Sequence, residues 1–316
     1  MIQTLKREMQ DIVENNILRF WLERMVDREH GGFYGRIDGH GVLHPEAEKG
    51  AILNARILWS FAAAYRVLGN PEYLEVATRA KDYIIDHFID KEYGGVYWSL
   101  DCEGNPLDTK KQFYAIGFAI YGMSEYARAT GDREALECAL QLFDCIEEHA
   151  FDAEHNGYIE ACTREWGTIA DMRLSALDAN YPKSQNTHLH IIEPYANLYR
   201  TLREFQAAES CDYVPAIGSV LPIGVTVPND DLFRVEAALR NIIGIFTDKI
   251  LNPETHHLDL FFDMDWTRGA GHLESYGHDI ECSWLMHEAA LVLGDPYVLE
   301  KVEPIVRMVA KASEKG

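Results

Sequence analysis

Apolar positions recur along this chain at helical spacing, in blocks that come in pairs. Across Lys49–Leu68, the residues Leu53, Ile57, Leu58, Phe61, Ala64 and Tyr65 share one face, and Gly69-Asn70-Pro71 ends the run. Pro71–Ile89 predicts a second helix, with Tyr73, Leu74, Ala77, Ala80, Tyr83 and Ile84 inward. The pair returns as Gln112–Thr130, closed by Gly131-Asp132, and Arg133–His149. A further helix opens near Asn186 and runs through Tyr199, and another starts after Gly277, carrying Ile280, Trp284 and Leu291. Leu68-Gly-Asn-Pro71, Thr130-Gly-Asp132 and Leu293-Gly-Asp-Pro296 are one device: a glycine ends a helix and an Asn or Asp starts the next.

A second pattern punctuates the pairs. Asp27-Arg-Glu-His-Gly-Gly-Phe-Tyr34, Asp90-Lys-Glu-Tyr-Gly-Gly-Val-Tyr97 and Asp152-Ala-Glu-His-Asn-Gly-Tyr158 begin roughly 62 residues apart, with a weaker echo at Asn252-Pro-Glu-Thr-His-His-Leu258. Each copy is a turn followed by alternating aromatic residues, which predicts a small hairpin. The unit is therefore helix, helix, short β loop. Repeated, it predicts an all-α ring of helical hairpins, an inner layer inside an outer one; a simple solenoid is the alternative. In a ring the β loops gather at one mouth and the inner helices line a pocket. Six such hairpins need about 370 residues, and this chain holds about five. Residues 207–231, with three prolines, break the pattern and predict an irregular inserted loop, either a lid or only a long connection.

Composition narrows the partners. The net charge of −22 and pI near 4.9 argue against nucleic acid or an anionic membrane. The charged, amphipathic start does not resemble a signal peptide, and no apolar run reaches membrane-spanning length. Six scattered cysteines without a CxxC pair suggest reduced thiols in a cytoplasm. No Walker loop and no GxGxxG occurs, so phosphate cradling has no support.

Candidate chemistry concentrates in two polar stretches. In Glu274–Met286, His278 and Glu281 are three apart, so imidazole and carboxylate share a helix face about one turn apart. That pairing can tune a proton donor or acceptor near neutral pH, and Trp284 on the same face can stack on a sugar-like ligand. In Asn186-Thr-His-Leu-His-Ile-Ile-Glu193, His190 and Glu193 repeat the spacing, and the two pairs could face each other across a ring. Arg56, within Ile52–Trp59, is predicted to be a buried guanidinium needing a partner, either a glutamate or a ligand oxygen. Tyr114 starts the corresponding helix one repeat later and would reach the same mouth. His188, His190, His278 and Asp279 could ligate a metal, but an HxH without HExxH is weak, and no metal is expected.

These stretches resemble a known family. Arg56 in NARILW, Asn186–Glu193 in NTHLHIIE, GGVYW at 94–98 and SYGHDIExxWLM at 275–286 are similar to the N-acylglucosamine 2-epimerase superfamily, closest to its cellobiose 2-epimerases. The resemblance covers nearly the whole chain except 207–231. It implies an (α/α)6 barrel and cofactor-free epimerisation at C2 of a reducing-end sugar of a disaccharide. It makes His278 a general acid/base, implicates His190 in ring opening and adds Glu281 to the catalytic set. Arg56, Tyr114, Asn186, His188 and Trp284 are then expected around the substrate. Rival readings are an N-acylglucosamine 2-epimerase or aldose–ketose isomerase on the same scaffold, or a non-catalytic saccharide-binding or interaction protein. The resemblance also implies a WWxQAE motif and a distal catalytic histidine, and neither appears in residues 1–316. The expectation is a single barrel domain over 1–316 lacking roughly the last hairpin, with little or no activity by itself. It would be cytoplasmic, and monomeric or weakly self-associating.

Overall fold

The computed structural model describes residues 2–208, 229–270 and 273–314. An N-terminal helix α1 (Ile2–Ile12) is followed by four helical hairpins among the described residues. These are α2 (Ala51–Leu68) with α3 (Pro71–Tyr83), α4 (Phe113–Thr130) with α5 (Arg133–His149), α6 (Gln185–Ala208) with α7 (Asn229–Ile245), and α8 (Tyr276–Leu293) with α9 (Pro296–Ser313). The first helix of each hairpin is inner: α2 packs on α4, α4 on α6 and α6 on α8, while each packs on its own outer partner. This is the two-layered helical ring predicted from the periodicity, drawn as an arc of four hairpins where about five were expected. The inserted loop expected at 207–231 lies mostly outside the described residues; Ala207 and Ala208 end α6, and 229–231 open α7.

Helix boundaries follow the predicted device. Gly69, Gly131 and Gly294 take left-handed backbone (φ 73°, 78° and 68°) after α2, α4 and α8. Asn70, Asp132 and Asp295 then accept from the first-turn N–H groups of α3, α5 and α9. The inner helices bury most of their surface. In α4 nearly every residue is enclosed, because it meets α2, α5 and α6 at once.

Short strands stitch neighbouring units at one end of the ring. β1 (Lys49–Gly50), just before α2, pairs antiparallel with β2 (Ser99–Leu100), which also pairs with β3 (Pro106–Asp108). β4 (Lys111–Gln112) pairs with β5 (Ala161–Cys162), and β6 (Lys183–Ser184) with β7 (Phe261–Phe262). Each strand entering an inner helix thus binds the segment that follows the next turn.

Each of the first three turns is locked by a buried ion pair that sequence reading missed. Asp27 Oδ1 accepts the N–H groups of Glu29 and His30, and its Oδ2 accepts from Lys49 Nζ at 2.7 Å. Asp90 pairs with Lys111 at 2.9 Å and Asp152 with Lys183 at 2.7 Å in the same way. Each ammonium also donates to the carbonyl of the fifth turn residue, Gly31, Gly94 or Asn156. An aromatic ring covers each lysine: Tyr83 at 5.1 Å, Tyr97 at 5.0 Å and Trp266 at 4.9 Å. Buried charges survive because their hydrogen-bonding capacity is filled. That fifth residue is left-handed in all four turns, at φ 78°, 77°, 66° and 66° for Gly31, Gly94, Asn156 and His256. This explains why Gly or Asn occupies it in the three clear copies.

Candidate active site

Counting the inner helices from Ala51, Phe113, Gln185 and Tyr276 puts the predicted chemistry in one register. The sixth residues are Arg56, Phe118, His190 and Glu281. The second residues include Tyr114 and Asn186, and the ninth are Trp59, Tyr121, Glu193 and Trp284. Positions two, six and nine share a helix face, so adjacent inner helices bring these side chains to one concave surface.

His190 sits at the centre, and the chain bends there. Its backbone (φ −91°, ψ 15°) leaves helical geometry within α6. Pro194, four residues on, has no N–H, so the His190 carbonyl loses its intrahelical donor. That carbonyl turns toward α4, where a Cβ on Gly117 would lie 2.3 Å from it, so only glycine allows the approach. Tyr114 and Phe118, three before and one after Gly117, flank the imidazole at 4.8 and 4.9 Å between ring centroids. Glu193 Oε2 takes Nδ1 at 3.1 Å, and Glu281 Oε1 stands 4.0 Å from Nε2.

Arg56 corrects an expectation: its guanidinium is exposed, not buried. It lies over the Phe118 ring at 4.3 Å and donates to the Tyr114 hydroxyl at 3.4 Å, with no carboxylate within ion-pair distance among the described residues. Burial pushes the Tyr114 phenol up to about 12, so it stays a donor. His278, half-buried one turn before Glu281, is pushed below its ordinary value by burial, which outweighs the Glu281 carboxylate. Its imidazole is therefore neutral near pH 7 and can accept a proton.

The first turn of α8 is fixed from below. Asp279 accepts from His257 Nδ1 at 2.6 Å and from the Leu258 N–H at 3.0 Å, and Ser275 caps toward the His278 N–H. On α8, Ile280, Trp284 and Leu291 are exposed at 51, 53 and 53%. The packing face is instead Cys282, Leu285, Met286, Ala289 and Leu293. Apolar spacing assigned the helix, and the exposed Trp284 is left free on the face where stacking on a ligand was expected.

His188 is not available to a substrate. It is fully buried, its Nδ1 bonds the Ser184 carbonyl at 2.6 Å, and Nε2 accepts the Tyr158 N–H at 3.0 Å. Burial pushes its pKa down to about 4, so it holds the third turn against α6 as a neutral ring. Sequence reasoning also missed Phe118, Trp59 and Tyr121; the lysine two residues before each of α2, α4 and α6 would have aligned these helices and exposed them.

An inner-helix ring with paired histidines and carboxylates at its mouth defines an (α/α)-barrel enzyme of acid–base type. Residues 32–198 match the N-acylglucosamine 2-epimerase family model. A cellobiose 2-epimerase of Bacteroides fragilis is 56% identical over all 316 residues, which span 73% of that relative. The solved cellobiose 2-epimerase of Bacillus thermoamylovorans superposes with a TM-score of 0.84 at 34% identity, over 99% of this chain and 72% of its own. A D-mannose isomerase structure, 18% identical, shares the fold at a TM-score of 0.74, over 94% of this chain and 67% of its own. The chain belongs to the N-acylglucosamine 2-epimerase family.

Proposed function

We propose that this chain epimerises C2 of the reducing-end sugar of a β-1,4-linked disaccharide such as cellobiose, without a cofactor. The observation that carries the reading is the shared register of Arg56, His190 and Glu281 on the inner helices α2, α6 and α8, with His278 one turn before Glu281. His278, neutral near pH 7, removes the proton at C2, which the adjacent C1 carbonyl of the open chain acidifies. The bond to hydrogen breaks, its electron pair moves toward C1, and the carbonyl oxygen becomes an enediolate oxygen. Arg56 has no carboxylate partner among the described residues and stabilises that oxygen, with the Tyr114 hydroxyl as second donor. His190, held through Nδ1 by Glu193, keeps Nε2 for the ring oxygen during opening. Asn186 and Trp284 contact the sugar from the second and ninth positions. Inversion of C2 requires a second acid that returns a proton on the opposite face.

The five described free cysteines and the acidic charge support a reducing cytoplasm and no nucleic-acid partner. No helix among the described residues is long and apolar enough to cross a membrane.

Incubation with cellobiose in heavy water tests the reaction. Deuterium is expected at C2, and His278→Ala slows that exchange about 100-fold or more. Label acquired at C2 reports abstraction, and the mannose product reports return on the other face. Exchange at the wild-type rate in His278→Ala, or ketose as the first product, rejects the assignment.

A further inference from the structure

Phe118 is the sixth residue of α4, and two close helix approaches decide what meets its ring. α4 packs against both α2 and α6. At Gly122, one turn after Phe118, a Cβ would lie 2.8 Å from the Ala55 carbonyl, so glycine lets α2 come near. Gly117, just before Phe118, does the same for α6 at the His190 carbonyl. Arg56 follows Ala55 directly, and His190 carries the carbonyl that Gly117 admits, so both side chains arrive at one ring.

The contacts differ in kind. The Arg56 guanidinium carbon stands 4.3 Å from the Phe118 centroid, well inside the roughly 6 Å reach of a cation–π attraction. Its hydrogen bond to the Tyr114 hydroxyl is long at 3.4 Å, and no carboxylate among the described residues lies within ion-pair distance. An exposed arginine with one weak hydrogen bond would otherwise sample many rotamers, and only a planar guanidinium can lie flat on a ring. Phe118 cannot follow that motion. It is buried, with the Tyr114 ring at 5.1 Å and the His190 ring at 4.9 Å, so packing fixes its plane.

We infer that Phe118 is a positioning residue: its ring holds the Arg56 guanidinium by cation–π attraction, and its packing against His190 fixes the imidazole. One side chain thereby couples the group that meets developing charge to the group that opens the sugar ring. That Arg56 meets an enediolate rests on the proposed function; that the ring holds its guanidinium does not. A bound sugar removes water from the guanidinium, and the attraction strengthens on desolvation.

Fluorinated phenylalanines at position 118 test this in the whole chain, because fluorines drain the negative ring face while nearly keeping its shape. From phenylalanine through 4-fluoro- and 3,5-difluoro- to 3,4,5-trifluorophenylalanine, C2 deuterium exchange of cellobiose is expected to fall stepwise to about one tenth. The loss falls on kcat with KM nearly constant, since the held guanidinium acts in the transition state. Ring opening, read as catalysed mutarotation of cellobiose, stays within about twofold along the series because the packing on His190 is kept. Phe118→Leu lowers both. Independently of turnover, the Arg56 side-chain NMR resonances are shifted upfield by the ring current, progressively less along the series and not at all in Phe118→Leu. Exchange and Arg56 shifts that stay constant along the series overturn the inference. Exchange and mutarotation lost in equal measure in the fluorinated proteins also overturn it, since a merely structural ring behaves that way. Graded loss of the Arg56 shift in a protein that never exchanges the C2 hydrogen supports the positioning while the proposed reaction fails.

Discussion

The first three turns and the fourth solve the same problem with different chemistry. In the first three, an aspartate opens the turn and a lysine two residues before the inner helix closes it, out of contact with water. In the fourth, those positions are Asn252 and Glu274, so the charges are gone from one and reversed at the other. The partner comes instead from the turn itself: His257 lies 2.6 Å from Asp279 and 3.6 Å from Glu274. Asp279 is the fourth residue of α8, as His188 is the fourth of α6, and each accepts the N–H of the residue that ends its turn, Leu258 or Tyr158. The lysine clamp fastens a turn to the strand before a helix. The Asp279 clamp fastens it to the helix itself, one residue from His278, so the fourth turn trades a scaffold lock for a positioning device.

Breaking a scaffold lock has the largest effect. Lys49→Met leaves the fully buried Asp27 carboxylate without its counter-ion and is expected to cost about 3–5 kcal/mol in urea unfolding. Asp279→Ala costs less stability, about 1–3 kcal/mol, but lowers kcat for C2 exchange tenfold or more because the first turn of α8 loses its anchor. If kcat follows stability alone, the contrast between the clamps is wrong.

Acid separates them further. Burial alone would raise the Asp152 carboxyl, but hydrogen bonds from Lys183, His155 and Glu154 hold it below its ordinary 3.8. A carboxyl depressed on folding contributes stability that is present above pH 3.8 and lost as pH falls through its folded value. Asp152→Asn should therefore be less stable than wild type by about 1–3 kcal/mol at pH 6, and melting curves should converge toward pH 2. Asn252 has nothing to titrate, so Asn252→Ala should show a pH-independent difference. The smallest expected change is at the bend. Pro194→Ala restores an N–H to the His190 carbonyl, raising stability by about 1 kcal/mol while lowering kcat, since a straightened α6 moves His190 away from Glu281. Stability and kcat rising together would show that the kink has no catalytic use.

Much of this was legible in the chain. The 3.6-residue periodicity, the Gly-Asn/Asp stops and the repeated turns set out alternating inner and outer helices, because each signal is local and acts through backbone conformation. Arg56, Tyr114, Asn186, His190, His278 and Glu281 were singled out as odd polar residues on apolar helices. Local pattern could not decide their surroundings. Arg56 reads as buried from its neighbours, yet the arc leaves its face open; His188 reads as a ligand beside His190, yet the third turn fills one of its nitrogens and the Ser184 carbonyl the other.

The sequence by itself determined the repeat, the helix ends and the residue types able to move a proton. Tertiary structure alone decided which of them meet, because register between helices depends on lysine clamps and strand pairs that join residues 20 to 80 positions apart. The bend at His190 belongs to both: Pro194 removes a donor wherever it stands in a helix, but only Gly117 on a neighbouring helix gives the freed carbonyl room to turn.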